Sequence, residues 1–507
     1  MSPRNYRASV VLLGGLFLLL PASLFAQDGS KPPPNEERWH VVLMQGKKCG
    51  HMMTSVRTVG KEVRSRSVMQ IEIARDKAKI KINFDQRYRE TLDGKPISLK
   101  AALNMGGEPA TTTGVIKDGK IHLVMEQFGS KREVTHDFDP DILFPYGQLL
   151  ETRRRGLQPG TKYRIKGYEP SQKADGPIET EVVVRGKETV DVLGRKRELT
   201  RVTATALLPV PIASELWVDD EGNPIITTVK MGVIDLHVVA TSKEEALRGE
   251  GETPEMFLET LVRANRRVSA EARSVRMRLR LPSDGPRLPE LPTTGMQKFK
   301  RINDHEAELV IRRIDWRKLQ ALKEQPAADR EQAAEYLRAS TICDTKDRQI
   351  RRLAVRGVGK ALTPAEKADA LRKFVTDYVT DKGLDVAFAT ASEVARSRQG
   401  DCSEHGVLLA ALARAAGLPA RGVSGIVQIP EGMLGVGREG VFGYHMWTQV
   451  YIDGQWVDID AALRQTDCDP THIALALPSL NDEGLMDSML NLLPLLGRLE
   501  IEITEVE

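Results

Sequence analysis

Asp453-Gly454 stands between two β-prone runs, residues 444–452 and 455–460. Asp-Gly in that setting is among the strongest hairpin signals a sequence carries, because the tight turn needs positive φ at both of its residues. A two-residue turn sets Ile452 opposite Gln455 and, counting back, Gln449 opposite Asp458 and Trp447 opposite Asp460. His445 then lies one diagonal step from Asp460 on the same sheet face, within side-chain reach. Asp458 shares that face two steps further away. The hairpin therefore predicts a His445–Asp460 pair, provided no bulge shifts the turn.

A second element upstream suits this pair. The run Cys402-Ser403-Glu404-His405-Gly406-Val407-Leu408-Leu409-Ala410-Ala411 is rich in strong helix formers. Asp401 is a good N-cap, Glu404 completes a capping box, and Gly417 and Pro419 supply the stop. Cys402 thus falls in the first turn, where unpaired N–H groups and the helix dipole favour a thiolate and can stabilise an oxyanion. Taken alone, a cysteine there reads first as a small buried side chain. With His445 as base and Asp460 orienting the imidazole, Cys402 becomes the nucleophile of a three-part arrangement.

The blocks Arg398-Gln399-Gly400-Asp401-Cys402-Ser403-Glu404-His405, Ala415-Ala416-Gly417-Leu418-Pro419-Ala420-Arg421, His445-Met446-Trp447 and Asp453-Gly454-Gln455-Trp456-Val457-Asp458-Ile459-Asp460 carry a family resemblance. Residues from about 345 to 470 resemble the transglutaminase-like domain of the papain-like cysteine-enzyme superfamily. The family's catalytic Cys, His and Asp fall on Cys402, His445 and Asp460. Two departures stand out: Ala461-Ala462 follows Asp460 where many members have Pro-Thr, and Asp401 precedes the cysteine where the calcium-dependent animal enzymes have Gln. The resemblance implies the bacterial branch, which includes proteases, amidases and crosslinkers.

Other chemistry fits less well. Cys402-x-x-His405 lacks the four ligands of a zinc site and the second cysteine of a haem attachment site, so no metal or cofactor is expected. His405 reads as a hydrogen-bonded helix residue, and Trp447 as either a wall of the site or a core aromatic. Residues 430–443, with Gly432, Gly435, Gly437, Gly440 and Gly443, form either a loop that moves over the site or a plain surface loop.

Arg4 and Arg7, an apolar run of about 13 residues and Pro21-Ala22-Ser23-Leu24-Phe25-Ala26 have the layout of a secretory signal, with cleavage after Ala26. The run is short of the roughly 20 residues that span a bilayer, so membrane attachment is expected only through an uncleaved signal. Lys31-Pro32-Pro33-Pro34 then reads as an extended tether over 27–38. The expected compartment is periplasmic or extracellular.

With 73 Lys and Arg against 70 Asp and Glu, no electrostatic footprint for nucleic acid exists. Arg153-Arg154-Arg155 is expected to be solvated surface. Four cysteines in an exported chain make no disulfide scaffold; Cys49, Cys343 and Cys468 are either free buried thiols or include a Cys343–Cys468 bridge. Residues 39–245 carry alternating runs at 68–73, 78–84, 114–116, 120–125, 163–167, 179–185, 198–206, 214–218 and 225–230, which predict an antiparallel sandwich or open barrel of structural or binding role. Residues 246–344 are expected to form a small α+β linker domain, with a helix near 254–265 and strands at 275–281 and 306–312. The resemblance implies that residues 345–507 form an α+β transglutaminase-like (papain-like) domain, and a capped helix is expected from Thr363 with Ala368, Leu371, Val375 and Val379 facing the core.

The expected activity is exported, cysteine-dependent acyl transfer on peptide or carboxamide bonds through a thioester. Hydrolysis is favoured, with protein-glutamine crosslinking and a non-catalytic envelope scaffold as the alternatives. The expected partner is a protein or peptide of the cell envelope, and nothing in the residues names it.

Overall fold

The computed structural model describes residues 35–507 apart from 76–77, 105–108, 128–129, 170–175, 209–210, 232–233, 250–253, 255–259, 315–332, 382–388, 431–439 and 482–494. The expected signal and most of the tether lie outside these residues, and tether residues 36–38 already belong to the first strand. The chain divides near residue 256 into two compact units.

The first unit is built from hairpins. Its strands are β1 (Glu36–Met44), β2 (Lys47–Val59), β3 (Glu62–Arg75), β4 (Ala78–Thr91), β5 (Pro96–Asn104), β6 (Ala110–Lys117), β7 (Lys120–Gln127) and β8 (Ser130–Asp137). After helix α1 (Pro145–Arg155) come β9 (Lys162–Gly167), β10 (Ile178–Val192), β11 (Arg195–Ala206), β12 (Ile212–Val218), β13 (Pro224–Met231), β14 (Ile234–Thr241) and helix α2 (Lys243–Leu247). The strands pair in the order β8-β7-β6-β5-β4-β3-β2-β1-β14-β13-β12-β11-β10-β9. Every expected run is a strand of this one sheet. Of the two architectures expected, the sandwich does not form: the sheet is continuous and curls until β2–β4 and β10–β12 wall one cavity.

A free sheet edge invites pairing with other chains. Along the edge strand β9, Leu143 N donates to Lys166 O at 2.8 Å and Ile142 bridges Lys166, so the segment before α1 runs beside it. Phe144 at the start of α1 has no capping side chain. Glu90 on β4 caps instead, accepting from Tyr146 N (3.0 Å) and Gly147 N (2.8 Å). Burial raises the Glu90 pKa to about 8 although both N–H groups pull it down. In the arginine triplet, Arg154 and Arg155 are exposed and pair with Glu151, but Arg153 is half-buried rather than solvated.

Among the described residues the second unit holds one nine-stranded sheet and four helices. Its strands are β15 (Val262–Ala264), β16 (Ser274–Arg280), β17 (Gln297–Asn303), β18 (Glu306–Arg312), β19 (Ala420–Gln428), β20 (Gly440–Ile452), β21 (Gln455–Ile459), β22 (Ile473–Ala476) and β23 (Glu500–Val506). The helices are α3 (Arg348–Val358), α4 (Pro364–Tyr378), α5 (Ala391–Ser397) and α6 (Cys402–Ala415). In β16 the alternation is strict: Val275, Met277 and Leu279 are buried, while Arg276, Arg278 and Arg280 face Glu306, Glu308, Glu502 and Glu505 on the neighbouring strands.

The expected linker domain does not stand apart. β15–β18 join the sheet of the C-terminal strands, in the order β17-β18-β16-β23-β15-β20-β19-β22. Pairing of β16 with β23 spans over 200 residues of sequence, which local periodicity cannot report. Of the helix expected near 254–265, residues 255–259 lie outside those described, and residues 262–264 are strand. α4 starts as expected, with Thr363 and Glu366 in a capping box and Ala368, Leu371 and Val375 buried. Among the described residues no helix is long and apolar enough to cross a membrane.

Candidate active site

The hairpin register sets the site. Ile452 pairs with Gln455, Gln449 with Asp458 and Thr448 with Ile459, so the two-residue turn holds without a bulge. One edge of β20 runs along β19; the other pairs β15 over 440–442 and β21 over 448–452. His445 lies in the interval between those two partners. Gly440 and Gly443 of the expected glycine-rich loop are strand residues, and 431–439 lie outside the described residues.

His445 Nε2 meets Asp460 Oδ2 at 2.6 Å, both residues being buried. Asp458 is held elsewhere, accepting from Trp447 Nε1 at 2.6 Å and Gln449 Nε2 at 3.1 Å. With Nε2 engaged, Nδ1 is the nitrogen left for Cys402, whose thiol acts on the same imidazole through a hydrogen bond. Burial disfavours the imidazolium, but Asp460 and Cys402 outweigh it and raise the His445 pKa to about 10. Asp460, despite burial, is held well below the usual carboxylate range, chiefly by His445.

Cys402 opens α6. Asp401 Oδ1 accepts from Ser403 N, and Glu404 Oε2 accepts from Asp401 N, each at 2.9 Å, which completes the expected capping box. Gly400 has φ +144°, and a Cβ on it would stand 2.2 Å from Glu404 Cβ, so only glycine lets the cap close. Glu404 is buried and its pKa lies well above the carboxylate range, through burial and then the neighbouring Asp401. His405 Nδ1 hydrogen-bonds Asp401 O at 2.6 Å, in keeping with a helix-packing role. Thr448 Oγ1 donates to Gly406 O at 2.9 Å and ties α6 to β20.

Trp447 fulfils both readings given for it. It is buried in a cluster with Val423 and Ala474, and its ring stacks on His445 at 20° with centroids 6.1 Å apart. Gly425 makes room beneath it: a Cβ there would lie 2.1 Å from Ile473 O and 2.5 Å from the Trp447 ring.

His472 escaped the sequence. Its Nε2 reaches Asp460 Oδ2 at 3.3 Å, and its Nδ1 faces Asp469 O at 3.2 Å. Burial opposes its charge, yet Cys468, Asp460 and Asp469 raise its pKa well above the usual value. Asp460 Oδ1 also accepts from Leu463 N at 2.8 Å. Its signal in the sequence is the polar run Cys468-Asp469-Pro470-Thr471-His472 just past the hairpin. None of the four cysteines is in a disulfide, and all are buried; burial pushes Cys343 up to about 11 and Cys468 up to about 12.

Ligand atoms of His445, Asp460 and His472 lie within 4.8 Å of one another, close enough for a metal. The atoms a metal would take are those that hold Asp460 between the two imidazoles, so the ion and this network exclude each other.

Residues 351–461 match the family model described as the transglutaminase-like superfamily. No curated protein matches the chain. Similar solved structures include a β-barrel-like protein of a domain of unknown function, DUF1849, from Brucella abortus, with 13% identity, 41% of this chain and 96% of that chain covered, and a TM-score of 0.33. Another is the periplasmic domain of TgpA from Pseudomonas aeruginosa bound to ethylmercury, with 17% identity, coverage of 43% and 88%, and a TM-score of 0.19. Residues 351–461 of this chain are a transglutaminase-like domain.

Proposed function

We propose that the chain is an exported cysteine hydrolase acting on a peptide or carboxamide bond. The observation that carries this reading is the 2.6 Å His445–Asp460 pair beside a helix-initial Cys402 that bonds the same imidazole. His445 already holds on Nδ1 the proton that Cys402 shares with it, and Sγ attacks the carbonyl carbon beside this imidazolium. The imidazolium then gives that proton to the leaving amine as the C–N bond breaks and a thioester remains. Water, deprotonated by His445, attacks the thioester and releases the acid and the thiol. Asp460 stays ionised throughout, fixing the tautomer and stabilising the imidazolium. Export rests on the N-terminal sequence alone, and a protein or peptide of the cell envelope is the proposed partner.

Incubating the full chain with a glutamine-bearing peptide and a labelled primary amine, and following products by mass, tests the reading. Shortened or deamidated peptide that disappears with Cys402→Ala is expected. Dominant amine incorporation would make the protein a crosslinking acyltransferase, and product from Cys402→Ala would remove the cysteine mechanism.

A further inference from the structure

The curled sheet of the first unit encloses a cavity of about 150 Å³, far from any residue of the hairpin site in sequence and formed wholly within that unit. That volume holds roughly ten water-sized groups, enough for one hydrocarbon chain. One wall is apolar: Val182, Val184, Val202, Leu216 and Val218 of β10–β12 point into it, joined by Tyr163. The facing wall carries a polar row. Thr54 on β2 pairs with Ser67 on β3, which pairs with Gln86 on β4, and Gln86 Nε2 donates to the buried Glu169 carboxyl. Ser65 is two residues from Ser67 and shares its face.

The row contains a debt of hydrogen bonds. Thr54 and Ser65 are each 5% exposed, and neither Thr54 Oγ1 nor Ser65 Oγ has a partner among the described residues. A buried hydroxyl without a partner costs about 1–3 kcal/mol, and a core strand could carry Val or Ala at these positions with no loss of packing. Two such hydroxyls on the polar wall of a chamber whose facing wall is apolar are suited to a ligand that brings hydrogen-bonding atoms at one end of a hydrocarbon chain.

We propose that the first unit binds one single-chain amphiphile with an uncharged ester or polyol end, its chain along Val182, Val202 and Leu216 and its polar end at Thr54 and Ser65. A free carboxylate end would face the Glu169 carboxyl and is disfavoured.

Native mass spectrometry of the full chain with 1-monolauroylglycerol below its micellar concentration tests this, with lauric acid and glycerol for comparison. One monolauroylglycerol per chain, at least five-fold weaker lauric acid and no glycerol are expected. Thr54→Val and Ser65→Ala are expected to weaken binding at least five-fold while leaving the thermal midpoint unchanged or higher, a combination that a purely structural role does not give. Ala204→Phe, which fills the cavity, is expected to abolish binding; if it fails to fold, the two hydroxyl variants decide. Absence of monolauroylglycerol binding, equal binding by Thr54→Val and Ser65→Ala, or lauric acid bound as tightly overturns the proposal.

Discussion

Both units bury polar side chains in a β-sheet, and they do so in opposite ways. Around β20 and β21, His445, Asp460 and His472 complete one another, with Leu463 N adding a further donor to Asp460. On β2 and β3, Thr54 and Ser65 face inward without a partner among the described residues. A closed network fixes the position and charge of its members, which suits chemistry performed by the protein's own atoms. An open one leaves hydrogen bonds to be made by something else. Buried polarity thus becomes informative about function only when its partners are counted.

Substitutions can break or sharpen that contrast. In the closed network, Asp460→Asn is expected to lower turnover by roughly 10³–10⁴-fold, through the lost counter-charge and tautomer control, whereas Asp458→Asn, which serves Trp447 and Gln449, is expected to be far milder. Initial rates of the two variants check this; a larger loss from Asp458→Asn would mean the wrong carboxylate has been paired with His445. His472→Gln is expected to cost roughly 10- to 100-fold in kcat, the size of one hydrogen bond to a charged group, with KM little changed because His472 orients Asp460 and touches no substrate. An unchanged kcat would reduce His472 to a packing residue.

Stability should follow charge in the same region. The His445 pKa is raised from 6.5 to about 10, so its contribution is complete below about pH 6.5 and is lost as the pH rises through about 10. The difference in thermal midpoint between the wild type and His445→Gln is therefore expected to narrow steadily between those pH values, and a constant difference would show that the imidazolium contributes nothing. In the open region the smallest effect has the opposite sign: Thr54→Val is expected to raise stability by up to about 1 kcal/mol, measured by denaturant midpoint. A loss of that size would reveal a partner for the hydroxyl in the free protein.

The hairpin site was legible because its information is local. A two-residue Asp453-Gly454 turn fixes the register, and the capping pattern of Asp401 and Glu404 fixes where α6 begins. His472 was not legible, since it returns to Asp460 through a turn at residues 469–471 with no regular period. The β-rich character of the first unit followed from alternation, but its continuity as one sheet depended on β14 returning to β1, a pairing across some 200 residues. The same limit hid the union of β15–β18 with the C-terminal strands, where β23 is the tie. Periodicity reports which face of a strand is buried and is silent on which distant strand lies beside it.

Activation of Cys402 by His445 can be read from its alkylation. Full-length native protein is treated with iodoacetamide between pH 5.5 and 8.5, and each cysteine is followed by peptide mass. Cys343 and Cys468 are held as inert thiols by burial, so they serve as internal controls. Cys402 alone is expected to be modified rapidly, faster than free cysteine at pH 6, and His445→Gln is expected to remove this advantage. Modification of Cys402 no faster than free cysteine, or unaffected by His445→Gln, would contradict that activation.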